Sequence, residues 1–203
     1  QDFLGSGQYL FRQKDLVNYL PLSLKVGRQR IKEPQTIWWN RDFDAVRLDF
    51  DKTLTKGFVG VGENLVAYRT NGSDHQEDDK RRLRLFGELS HQYVYNHFFD
   101  TRVLYEHDHS DREYTGYTVD SNDRDLSDAK LAWFGTRNWG KFKTPMSGIS
   151  NMNYRLDVMG VYGTERTLTT TTAANPNFQN VTGVGHTDVM AWGLDAGLDA
   201  SFD

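Results

Sequence analysis

Along most of the chain, apolar residues recur at every second position rather than every third or fourth, the period of strands and not of helices. Val46, Leu48 and Phe50 alternate with Arg47, Asp49 and Asp51. Phe99, Val103 and Tyr105 alternate with Asp100, Arg102 and Glu106. Ala129, Leu131 and Trp133 alternate with Asp128, Lys130 and Ala132, and Met152, Tyr154, Leu156 and Val158 with Asn153, Arg155 and Asp157. Met190, Trp192, Leu194, Ala196 and Leu198 alternate with Ala191, Gly193, Asp195 and Asp199. The pattern predicts nine strands, over 8–19, 22–32, 42–52, 57–69, 81–93, 97–109, 125–138, 149–163 and 187–202. Most exceed the usual length of about five or six residues and reach the roughly nine to eleven that a tilted membrane strand needs.

The connections sort by length. Tyr19 to Pro21, Thr53 to Lys56 and Gln92 to Asn96 are short, whereas Asn71 to Lys80, Ser110 to Arg124 and Thr164 to His186 are long and polar. Short turns at one end and long loops at the other is the pattern of an outer-membrane barrel. A soluble β-sandwich has no reason to sort its loops in this way. The apolar residues of these strands, Leu131, Trp133, Leu156, Val158, Trp192, Leu194 and Leu198 among them, are expected on the lipid side. Lys130, Arg155, Asp157, Asp195 and Asp199 are expected towards the lumen. Segment 22–32 resists the pattern, because Leu22, Leu24 and Val26 share a parity with Arg28 and Arg30. A bulge at Gly27 would switch the faces.

Composition narrows the class. Hydrophobic residues make up 37% of the 203 and aromatic residues 13%. Few aliphatics with many aromatics suits a barrel with a wet interior. The net charge of −4 does not point to nucleic acid, and the absence of cysteine removes disulfide scaffolds and thiolate metal sites. No uninterrupted apolar run approaches the length of a membrane helix, about 18 residues. Trp38, Trp39, Trp133, Trp139, Tyr93, Tyr95 and Tyr162 fall near segment ends, as an interfacial aromatic girdle would.

Several short motifs then resemble those of bacterial alginate-export outer-membrane proteins. They are Val26-Gly27-Arg28-Gln29-Arg30-Ile31, Asp44 to Leu48, Glu63 to Thr70, Phe86 to Ser90, Leu131 to Gly135, Thr169 to Thr172 and Val189 to Leu198, in one order along nearly the whole chain. The resemblance implies an all-β fold, an antiparallel up-and-down transmembrane β-barrel of about eighteen strands, the size class with an aqueous lumen. Residues 1–203 would be part of that single barrel domain, an internal fragment of about nine strands. It also implies passive export of an anionic polysaccharide such as alginate across the outer membrane of a Gram-negative bacterium. The partners would be the polymer, outer-membrane lipid and periplasmic export-complex proteins, with no cofactor and no nucleic acid.

A carboxylated polymer needs fixed cations along the wall, and arginine supplies a planar fork that stays charged. By residue-wise matching to the family's arginine-rich constriction, the lumen arginines are Arg12, Arg28, Arg30 and Arg69. The chain departs from that pattern at Gln13, where the family has Glu, and near Asn71, where it has an acid.

Other chemistry is weaker. Glu106-His107-Asp108-His109-Ser110-Asp111 looks metal-binding, but in a strand Glu106 and Asp108 face away from His107 and His109. No nucleophile motif accompanies this stretch, so no catalytic residue is expected. The basic run Lys80 to Arg84 reads as paired with the acidic loop Asp74 to Asp79, and Thr169 to Thr172 as a flexible loop. The alternatives to an exporter are a general porin for small solutes, a membrane-anchored enzyme and a soluble β-structured binding domain. An enzyme needs acid–base residues converging at one rim, and a soluble domain needs one face packed into a dry core.

Overall fold

The computed structural model describes residues 3–4, 8–12, 22–32, 40–63, 82–108, 114–120, 127–143 and 149–202. They form one sheet of eleven strands: β1 (Phe3–Leu4), β2 (Gln8–Arg12), β3 (Leu22–Lys32), β4 (Asn40–Asp51), β5 (Thr55–Glu63), β6 (Arg82–Val94), β7 (His97–Asp108), β8 (Thr118–Asp120), β9 (Ser127–Lys143), β10 (Ile149–Thr172) and β11 (Phe178–Phe202). All pairings are antiparallel, in the order β1-β2-β3-β4-β5-β6-β7-β9-β10-β11-β8. The nine expected strands are β2 to β7 and β9 to β11, and they pair in chain order as an up-and-down meander, the form of a barrel wall. Only β8 breaks sequence order, leaving the β7–β9 connection to pair with the start of β11.

Local chemistry explains the short end. Tyr95-Asn96 closes the β6–β7 hairpin, and Asn96 takes a φ of 61°, which Asn tolerates better than most residues. At the β4–β5 turn, the Lys52 amide donates to the Thr55 carbonyl at 2.8 Å.

The other end departs from expectation. Thr164 to His186 is not a long loop: β10 and β11 stay paired from Thr164↔Asp188 out to Thr172↔Gln179, with one irregularity between Thr169 and Thr170. The threonine run lacks apolar alternation and so reads as loop, yet β-branched residues favour the extended backbone. Asn175-Pro176 lies in the turn that joins the two strands. The expected loop from Ser110 to Arg124 likewise contains β8.

The register divides the sheet into two faces, because directly paired residues share a side. One face carries successive cross-strand rows of apolar residues. Leu24, Leu48, Val59, Val103, Phe134 and Trp192 occupy one such row; Val26, Val46, Val61, Leu85, Tyr105, Tyr162 and Met190 occupy the next. Most of these side chains are exposed, Trp192 by 81%. Gly160 interrupts β10 in the first of these rows, where the Phe134 ring lies over it so closely that an added Cβ would sit 2.7 Å from the ring. From Tyr154 to Tyr162 the rows span roughly 26 Å along the strand, close to the apolar band of about 25 Å on membrane barrels. The next row is mostly charged or polar, with Arg28, Asp44, Glu63, His107, Lys130, Thr164 and Asp188, and Leu83 as its apolar member.

The facing expectation holds for Leu156, Val158, Trp192, Leu194 and Leu198, and for Arg155, Asp157, Asp195 and Asp199 on the opposite side. It fails on β9. Leu131 and Trp133 share the side of Arg137 and Asp157, while Lys130 sits on the apolar side in its charged bordering row. β9 is apolar on both parities, Leu131 and Trp133 on one and Ala132 and Phe134 on the other, so alternation alone could not orient it. Trp133 and Trp139 therefore are not girdle residues. On the apolar face, a hydrogen-bonded group of Tyr93, His97, Asn138 and Tyr154 holds the short-turn border instead. Trp38 and Trp39 lie outside the described residues.

Candidate functional site on the polar face

The polar face is a lattice of arginines and acids on neighbouring strands. Its centre is Arg102 on β7, which donates from Nε to Glu88 on β6 at 2.8 Å and from Nη2 to Asp100 at 3.2 Å. Its Nη1 reaches Asp157 on β10 at 3.5 Å. Asp157 also accepts from Arg137 Nε at 2.6 Å and sits 3.2 Å from Arg155 Nε. Arg155 continues the lattice to Asp195 on β11. Asp157 is fully buried, and Asp100, Arg102 and Arg137 nearly so. Trp139 donates from its indole N–H to Asp100 at 2.8 Å and stacks on Phe98, centroids 4.3 Å apart.

Two rows towards the long-loop end, Arg84 pairs with Glu106 at 2.6 Å, and then Arg82 with Asp108. Across the sheet, Arg47 pairs with Asp49 and lies 4.0 Å from the centroid of the Phe58 ring, while Lys25 approaches Asp49 at 3.3 Å. Between these charged patches Ile31, Ala45 and Phe86 form a small buried cluster, flanked by Phe58 and Leu104.

Each arginine of this face whose side chain is described thus has an acidic partner. A buried ion pair is costly to break from one side, because the remaining charge keeps its desolvation penalty. The lattice fixes the guanidinium groups, and it presents a wall of alternating sign rather than a continuous cationic stripe.

Two of the four arginines expected from the sequence, Arg28 and Arg30, stand outside this lattice. Arg28 and Arg30 lie opposite Asp44 and Asp42 in the rows of the apolar face, with ion pairs of 3.5 and 4.0 Å. Gly27 has a φ of 113°, a backbone that glycine alone adopts readily, but the register runs through it without a shift. The face switch that a bulge there would bring does not occur. Instead the apolar stripe of β3 ends at Val26, and the strand runs on into the charged bordering rows. The Arg12 backbone pairs with Ser23, a polar-face register position, and its side chain lies outside the described residues, as does all of Arg69.

Arg102 and Arg137 are not among the site residues the sequence points to, and Arg84 enters there only as the end of the basic run Lys80 to Arg84. For Arg102 a signal was available, the acid two residues away on the same parity, Asp100; Arg84 and Arg137 have no such neighbour. The described members of the basic run, Arg82 and Arg84, pair with Asp108 and Glu106 on β7, and the acidic loop 74–79 lies outside the described residues. Glu106 and Asp108 are held by those arginines on the polar side, while His107 shares the row of Lys130 on the other, so these three side chains do not converge. His109, Ser110 and Asp111 are outside the described residues.

No family model matches the chain. Over all 203 residues it is 28% identical to alginate production protein AlgE of Pseudomonas aeruginosa, covering 41% of that protein. The chain is related to part of that protein. Over 181 residues, 89% of this chain, it is 29% identical to the AlgE of Pseudomonas syringae pv. tomato, covering 36% of it. Over 88 residues it is 30% identical to the AlgE of Azotobacter vinelandii, 42% of this chain and 18% of the relative. The chain therefore spans about two fifths of the length of the first of these relatives.

Proposed function

We propose that this chain forms part of the wall of an outer-membrane channel for passive export of an anionic polysaccharide of the alginate type. The observation that carries the reading is the two-faced sheet: an exposed apolar band on one side, and on the other an arginine–acid lattice suited to a wet lumen. Relatedness to alginate production proteins supports the polymer class. The wall works by passage rather than covalent chemistry. Its fixed guanidinium groups offer carboxylates short-lived contacts, and the acids beside them keep those contacts weak enough for release. Arg12 and Arg69 remain proposed lumen cations. Arg28 and Arg30 are proposed as charges of the loop-side rim, beyond the apolar band. Periplasmic export proteins would meet the short-turn end, which faces the periplasm in bacterial barrels.

A general porin is the second reading, and one observation favours it: the balanced pairing of the polar face gives that region no surplus of positive charge. The full-length protein in planar bilayers separates the two. An exporter passes anions preferentially and is blocked by oligouronates at low salt, with the block weakening as salt screens the contacts. Absence of anion preference together with absence of block would leave the general porin.

A further inference from the structure

At the short-turn end of the polar face lies a recess of about 580 Å³, within the size range of small-ligand sites. We propose that this recess is a binding subsite for the uronic-acid units of the polymer, with Trp139 and Phe98 as platform for the sugar ring and Lys141 and Arg155 as partners of its carboxylate. The proposal rests on the channel reading and deepens it.

A uronic-acid pyranose has an apolar C–H face, a ring of hydroxyls and one carboxylate. Each finds a complement here. The stacked pair Phe98 and Trp139 supplies rigid aromatic surface, and the Trp139 N–H is held by Asp100, which fixes the indole. Arg155 is held by Asp157 and Asp195, so its planar fork is oriented in advance. Lys141 is exposed and has no acidic partner among the described residues, unlike the arginines above it. Asn153 pairs with Lys141 on one side and Asp199 on the other, and all three line the recess. Asn153 can meet hydroxyls, and Asp199 repels a carboxylate towards Lys141.

Gly197 keeps the floor open. It pairs with Arg155, and a Cβ there would already sit 3.6 Å from the guanidinium, so a larger side chain fills the space that the sugar needs. The location also fits the direction of travel: a polymer made inside the cell meets the short-turn mouth first.

Full-length protein in planar bilayers tests this with oligomannuronate and a neutral oligomannose of equal length, each added at the short-turn side. Lys141→Gln should slow block by oligomannuronate about threefold, the scale of one exposed charge, and leave oligomannose unaffected. Gly197→Leu should abolish block by both while the channel still inserts and conducts. If wild type is blocked and neither substitution changes the block, the subsite is wrong and the aromatic pair is wall packing. If oligomannuronate fails to block wild type from either side, the channel reading itself falls, and the subsite with it.

Discussion

At the scale of single residues, Asp157 holds the most. It is fully buried and joins Arg102 on β7, Arg137 on β9 and its own-strand neighbour Arg155. Asp157→Asn keeps the shape and removes the charge that these guanidinium groups share. We expect it to lower unfolding stability by about 1–3 kcal/mol, measured by urea titration in vesicles, since buried charged groups lose a partner. The same substitution uncovers positive charge, so the reversal potential under a salt gradient should shift towards anions. Unchanged stability with unchanged selectivity would show that the arginines are fixed by something other than Asp157. The sequence offered this residue as lumen-facing, but its centrality depends on partners 20 and 55 positions away, which no local pattern announces.

At the scale of elements, strand existence was legible and facing was legible only where one parity was polar. β4 and β7 oriented themselves from Arg47, Asp49, Asp100 and Arg102, whereas β9 did not, being apolar on both parities around Trp133 and Phe134. β3 shows the complementary failure. Its parity is consistent throughout, but the strand outruns the apolar band, so Arg28 and Arg30 share a side with Leu24 and Val26 without sharing their surroundings. Paired substitutions on β9 decide the facing. Phe134→Arg, on the apolar side, should cost about 2–4 kcal/mol in lipid, the price of an arginine near the bilayer midplane. Leu131→Arg, on the polar side beside Glu106, should cost far less. Both are read by reversible unfolding into urea from vesicles, and equal costs would mean that the faces are wrongly assigned.

At the scale of the whole molecule, period-two patterning and sorted turns were enough to give an antiparallel meander, because those signals are repeated in every strand. What they missed is the far end of the sheet, where threonines and glycines carry no apolar signal. There β10 and β11 run for 24 and 25 residues, more than twice what crossing a membrane takes, about nine to eleven. Between the Tyr162 row and Thr172 the pair continues for roughly 30 Å along the strand direction. A hairpin of that reach is a mast. On the proposed orientation it stands clear of the lipid, with Asn175 and Pro176 at its tip, joined to the wall by backbone ladders rather than by a slack loop. A short peptide tag inserted between Ala174 and Asn175 should therefore be bound by antibody on intact cells while pore conductance stays unchanged, and no labelling without permeabilisation would mean that the mast points inward. Surface reagents, whether antibodies, phage tail fibres or engineered binders, would meet this mast before the mouth of the pore.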